Sequence, residues 1–203
     1  MAFTLPALPY AHDALGTRES FDKTTAADLK KFHDTWYAPN NAILILVGDV
    51  EPQATLAKVK TLFEGIGRKA LPARPTVPQK PQEAAHYTFD TDRPNGSVIL
   101  TMRMPGLDNP DFPALEILSD ALSSERGALY QLVPQGKSLG TDFSLYALPN
   151  AGLIYAAGAF AEGEDPKVLE GELRGVLSDI VKNGVPPELI AAAKLQERRG
   201  AEF

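Results

Sequence analysis

At 203 residues the chain can bury one good core or two small ones, and 44% hydrophobic against 23% charged residues is the balance of a folded domain. A net charge of -6 argues against a nucleic-acid binder, which needs a basic footprint, and no apolar run approaches the roughly 20 residues that cross a bilayer. The chain has no Cys, which excludes disulfides and thiol catalysis and leaves the redox compartment open.

The first residues, MAFTLPALPYAHD, lack the basic start and long apolar centre of a signal peptide; the compartment stays unknown, and a soluble chain, cytoplasmic or periplasmic, is the expectation. Leu29, Phe32 and Trp36 then recur at helical spacing, with Asp28, Lys30, Lys31 and Asp34 on the other faces. Pro39 ends that helix, because its ring disfavours helical geometry in the residue before it. Asn40 and Asn41 supply a turn, and the apolar run 42–47 predicts a strand covered on both faces. Gly48-Asp49 stops the strand and Glu51-Pro52 opens another helix, whose Leu56, Val59, Leu62 and Phe63 turn inward. Residues 1–67 are expected to form a first piece, the end of one α/β unit. Pro72, Pro75, Pro78 and Pro81 follow at every third position, and 68–84 reads as a stiff linker in preference to a polyproline ligand.

Residues 85–203 predict a second α/β unit. Strands are expected at 86–89 and 97–104, separated by the turn residues Arg93-Pro94-Asn95-Gly96. A helix with Phe112, Leu115, Leu118 and Leu122 on its buried stripe follows, with Asp111 as its cap and Pro113 in its first turn. A short helix at about 127–133 precedes strands at about 139–148 and 153–161, joined by a turn at 149–152. Asp165-Pro166 opens a helix with Leu169, Leu173, Val176, Leu177 and Ile180 on one face and Gly184 as its stop, and a last helix opens at Pro186-Pro187.

Phe32, Tyr37, Pro39, Asn40, Asn41 and Ala42, followed by Val47-Gly48-Asp49-Val50, closely match a helix-strand pattern of insulinase (pitrilysin) family zinc peptidases. The stretch 9–21, PYAHDALGTRESF, resembles the one that precedes that helix in the family, with Leu8 where the family usually has His. The resemblance runs through nearly the whole chain. It implies an α+β fold of mixed, largely antiparallel sheets with helices packed on one face, as in insulinase and the mitochondrial processing peptidase. It also implies zinc, held in the family's catalytic unit by H-x-x-E-H, where two His one helical turn apart face the metal. This chain has only His12, His33 and His86, none in such a motif, so neither a metal ligand nor a zinc cofactor is expected in it. Active members add an Arg and a Tyr that hold the substrate carbonyl and its oxyanion, in a pattern close to L-R-x-x-x-x-L-G-Y. Residues 132–141 are one residue longer than that pattern. Leu132 and Leu139-Gly140 match it, but Val133 and Thr141 stand at the Arg and Tyr positions. Arg126 and Tyr130 are the nearest residues of those types, several positions away.

Other constellations are weak. Ser123-Ser124 has no nearby His in sequence to activate a nucleophile. Asp90, Asp92, Asp108, Asn109 and Asp111 do not form a calcium loop, and Glu162, Glu164 and Asp165 suit a helix N-terminus. No phosphate loop is present, since 156–159 lies inside a strand. No catalytic residue is therefore assigned, substrate-binding residues stay unassigned, and the chain as given is not expected to be an enzyme. The resemblance implies a non-catalytic portion of an insulinase-type zinc metallopeptidase, part of a chamber around an unfolded peptide. Its partner would be a zinc-bearing α/β unit of the same or a homologous chain, with neither nucleic acid nor membrane involved. On this reading the chain is a piece of a longer reading frame. The alternative is a stand-alone inactive partner subunit that assembles with a zinc-bearing homologue.

Overall fold

Strand β3, Gly152–Ala161, is the centre of the sheet, with β1, Asn95–Met104, on one side and β2, Gly140–Ala147, on the other. Both pairings are antiparallel, so β2 and β3 form a hairpin while β1 reaches β3 across the intervening chain. The register explains the composition of β3. Leu100, Ala156 and Phe143 form one cross-strand row, and Met102, Ile154 and Leu145 the next. Where its neighbours are bulky β3 supplies Ala156, and at Gly158 a Cβ would lie 3.1 Å from the Leu169 side chain. Small residues on the central strand thus let a helix approach it closely.

That helix is α5, Pro166–Asn183, which packs on β1 and β3, while α4, Phe112–Ser123, packs on β2 and on the final helix α6, Pro187–Glu202. Met104, Phe112, Leu122, Phe143, Ile154, Ala156, Leu169 and Leu173 build the main core between the sheet and its helices. A smaller cluster joins Ala121 of α4 to Leu189 and Ala193 of α6. On the opposite side of β3, Leu153 and Tyr155 meet Leu5, Leu8 and Tyr10, and Thr4 Oγ1 donates a 2.8 Å hydrogen bond to Thr101 Oγ1. Thr4, Leu5, Leu8 and Tyr10 therefore pack on this sheet.

In the computed structural model, residues 3–6, 8–12, 14–74 and 83–202 are described. The chain divides into two compact units, one made of Met1–His12 with Val77–Phe203 and the other of Asp13–Thr76. Residues 1–12 group with the later unit, where the sequence boundary at 67 had counted them in the first piece. Sequence patterning had no access to this, since the contact depends on side chains about 145 positions apart (Leu8 with Leu153). Pro75, Pro78 and Pro81 of the expected linker lie outside the described residues.

The unit Asp13–Thr76 holds three helices: α1, Arg18–Lys23, α2, Ala26–Trp36, and α3, Pro52–Phe63. Thr17 and Thr25 open the first two with capping boxes, and the Glu51 carboxylate caps the third by accepting from the backbone N–H groups of Gln53 and Ala54. Three local expectations differ from the structure. Residues 42–47 pair with no strand, and residues 86–89 are also unpaired among the described residues. The β-branched and aromatic residues they contain favour extension, but a strand forms only where a neighbour supplies the ladder. Asp111 does not cap α4 with its side chain; its backbone is helical, and its N–H donates to Asn109 Oδ1 at 2.9 Å.

Candidate functional site

The sequence places its most distinctive residues at the end of α2. Within the Thr25 capping box, the hydroxyl and backbone N–H of Thr25 both donate to Asp28 Oδ2, at 2.6 and 2.9 Å. These bonds, the hydroxyl's first, hold the Asp28 carboxyl below its ordinary value. Asp34 is held low in the same way, first by Lys30 and then by His33. At the other end, Asn41 Nδ2 donates to the carbonyl of Trp36 at 2.9 Å and so satisfies one of the open carbonyls of the last turn. Asn40 does more than turn the chain. Its Nδ2 donates to the Lys69 carbonyl at 3.1 Å while its Oδ1 accepts from the Lys69 N–H at 3.0 Å. Lys69 Nζ then donates to the carbonyls of Asp34 and Tyr37 at 3.1 and 3.2 Å. A closed loop results, with residues 42–47 and α3 between two fastened ends.

What that loop presents is apolar and uncovered. Ile43 is 88% exposed, Leu44 55%, Ile45 74%, Leu46 51% and Val47 91%. Among the described residues none of the five takes part in a backbone hydrogen bond. Leu29 and Phe32 of α2 and Leu56, Leu62 and Phe63 of α3 are exposed as well, although the sequence patterning turned them inward. Only Ala38 is buried among the described residues of this unit. An apolar surface of this kind marks an interaction site.

The residues weighed in the sequence for catalysis lie apart from one another. His33 stacks on Tyr37 with ring centroids 4.8 Å apart, and its Nδ1 lies 3.3 Å from Asp34 Oδ1. His86 Nδ1 is 3.9 Å from Glu170 Oε2, and His12 is an exposed residue just after a turn of 3-10 helix, Pro9–Ala11. Among the described residues no group of three His, Asp or Glu side chains is arranged to hold a metal ion, so this donor set does not fit zinc. Val133 ends a 3-10 turn, Tyr130–Leu132, and Thr141 lies on β2 opposite Gly158 on the helix-covered face. Neither carries a guanidinium or a phenol. Arg126 is exposed in the loop after α4 and Tyr130 sits half-buried in the turn. Ser123 Oγ donates to the Asp120 carbonyl at 3.2 Å, and Ser124 Oγ accepts from the Arg126 N–H at 3.3 Å, so both serve the end of α4.

One cluster had no signal in the sequence. Asp120 Oδ2, on the inner side of α4, is shut off from solvent with no hydrogen-bond partner. Burial, then Glu197 of α6 and Glu116, push its carboxyl above the ordinary range. Three carboxylates from two helices meet here only because α6 folds back on α4.

An antiparallel sheet with helices layered on one face is an α+β unit of the insulinase type. The chain belongs to the family of the peptidase M16 inactive domain, whose model matches residues 23–197. It is the inactive kind of unit in that family and is not itself a peptidase. It is 30% identical over 127 residues to the zinc protease PqqE of Helicobacter pylori, an alignment covering 61% of this chain and 29% of that protein. Its fold is similar to a crystal structure of a peptidase M16 inactive domain from Pseudomonas fluorescens, with a TM-score of 0.80, 22% identity and coverage of 96% of this chain and 48% of that one. A chain in the structure of Complex III2 from Candida albicans matches with a TM-score of 0.79 and 12% identity, over 99% of this chain and 50% of that one. The chain therefore spans half or less of each of these. No helix among the described residues is long and apolar enough to cross a membrane.

Proposed function

We propose that the chain is the non-catalytic portion of an insulinase-type zinc metallopeptidase. It packs against a zinc-bearing α/β unit outside these 203 residues and supplies part of the wall of a chamber around an unfolded peptide. The carrying observation is the uncovered apolar surface of Asp13–Thr76, in a chain whose other unit has a closed core. A unit with so little buried gains stability only when another body covers it. The Helicobacter relative, named a zinc protease and more than three times the length this chain covers, is the kind of protein in which such a body would be found. In this reading residues 13–67 close one α/β unit, 68–84 connect, and 85–203, joined by residues 1–12, form the second, and no residue of the chain is a zinc ligand or a catalytic group.

Expression of the complete reading frame tests this. Peptide hydrolysis that appears only with the flanking segment, and vanishes with a chelator, is the expected result. Hydrolysis by the purified 203-residue chain, insensitive to chelators, overturns it. The Candida match favours a second reading, since there the fold occurs in a chain of a multi-subunit complex. If the full-length protein is silent, the chain is an inactive partner subunit, and it should then form a stoichiometric complex with a zinc-bearing homologue.

A further inference from the structure

We propose that the sheet face around Ile99, Ala157 and Asp142, opposite the helices, binds a short extended segment of peptide by its aliphatic side chains. This rests on the functional reading above and names where the second unit would touch the enclosed peptide.

The register defines the surface. Helices α4 and α5 cover the face that carries Ile154 and Ala156, so the odd-numbered residues of β3 look the other way. On that second face two cross-strand rows stand beyond the N-terminal residues: Ile99 with Ala157 and Asp142, then Ser97 with Ala159 and Gly140. Ile99 is 57% exposed, and Ala157 and Ala159 are half-buried. Asp142, exposed on β2, forms a polar rim whose carboxylate accepts from Ser144 Oγ at 3.2 Å.

The covered part of the same face shows what it accepts. Thr4 reaches Thr101 on β1, while Leu5 and Leu8 bury themselves against Leu153 of β3, at 0% and 5% exposure. Residues 4–6 and Leu8 lie in no strand or helix, so aliphatic side chains from a non-ladder segment dock on this sheet by packing alone. Thr101 and Tyr155, at the limit of that contact, stand two residues from Ile99 and Ala157 on their strands. The open half therefore continues the covered one.

Size selects the occupant. With strands about 4.8 Å apart and a rise of about 3.4 Å per residue, two rows on three strands span roughly 10 by 14 Å. That is on the order of 150 Å², against the roughly 800 Å² that each partner of a stable protein interface buries. A second copy or a folded unit needs more surface than this. About four residues of extended chain fill it.

Methyl NMR spectra of the 203-residue chain, titrated with a synthetic peptide of alternating leucine and serine, test the proposal, with an all-serine peptide as reference. The expected result is saturable shifts at Ile99, Ala157 and Ala159 with the first peptide only, and unmoved Leu5 and Leu8. Ala157→Arg overfills the surface and should weaken binding at least about tenfold, and Ile99→Ser, at an exposed position, about fivefold. Absent shifts, equal shifts with both peptides, or shifts centred on Leu5 and Leu8 overturn the proposal. So does either variant that keeps its dispersed spectrum and binds unchanged. Loss of these three methyls' response to a soluble paramagnetic probe in the peptide-free full-length protein would mean that a folded body covers the face, and overturns it too. Zinc content and hydrolysis of the same peptide by the full-length protein separate the two claims. There Ile99→Ser should raise KM and leave kcat unchanged. Peptide bound at this face of a zinc-free, inactive protein retains the surface and sinks the peptidase reading, and an active zinc enzyme whose KM ignores both variants does the reverse.

Discussion

Gly106, two residues beyond the end of β1, lies so close to the β2–β3 turn that a Cβ there would stand 2.3 Å from the Pro149 carbonyl oxygen and 2.6 Å from the Ala151 nitrogen. Backbone cannot swing aside, so Gly106→Ala should cost about 3 kcal/mol, at the upper end of overpacking penalties. Gly96 is also crowded, but by the ring of Phe160, its cross-strand partner, at 2.1 Å. A ring can rotate away, and Gly96→Ala should cost about 1 kcal/mol. Urea midpoints of the two variants would rank them, and the reverse order would show that the turn yields more readily than the ring. Asp120 adds a pH dependence. Its folded carboxyl titrates above its usual 3.8, so the folded state binds the proton more tightly than the unfolded chain. The penalty is absent below the unfolded value, grows as pH rises through the window up to the folded one, and is complete above it. Asp120→Asn should therefore stabilise at neutral pH, by up to about 0.5 kcal/mol, and lose that advantage on acidification. Denaturant titrations at pH 7 and pH 3.5 would detect it.

Among the elements, the two acidic residues that precede α4 and α5 make a controlled comparison. The Asp165 carboxylate accepts from the Lys167 N–H at 3.0 Å, whereas Asp111 makes no side-chain cap. Asp165→Ala should cost about 1 kcal/mol, and Asp111→Ala should be close to neutral in the same denaturation experiment. A sequence reader scores both positions alike, because each is an Asp just before a helix with Pro in its first turn. What separates them is backbone geometry: Asp165 is extended at ψ 116°, and Asp111 is already helical at ψ -9° because Asn109 has taken its N–H. The same boundary between local and non-local information runs through the fold. Strands β1, β2 and β3 and helices α4 to α6 were legible, since their alternation and stripes match what the sheet and core bury. Residues 42–47 and 86–89 carry equally strong strand composition and are unpaired, because pairing is a property of the neighbour. The histidines tell the same story for the site. Their scatter was visible in the sequence, whereas the carboxyl cluster around Asp120 was not, because it needs α6 to return across α4.

For the molecule, the uneven distribution of core predicts uneven stability. Helices α2 and α3 have 11 and 12 residues, lengths that are marginal without packing, and neither buries a residue. Limited proteolysis of the 203-residue chain should cut within 14–74 first, around 43–50, and leave a resistant core running from β1 to α6. Mass spectrometry of the early products checks this, and first cleavage within β2 or β3 would contradict it. The pair of bonds between Asn40 and Lys69 bears on what association costs. It fastens positions 29 residues apart, so part of the loop-closure entropy of the intervening segment is already spent before any partner arrives. The loop is thus preorganised in the sense used for rigidified binders, and more of the energy gained on covering it remains as affinity. On the proposed docking, Asn40, which reads in the sequence as an ordinary turn residue, would in that sense help to set how tightly two bodies hold together.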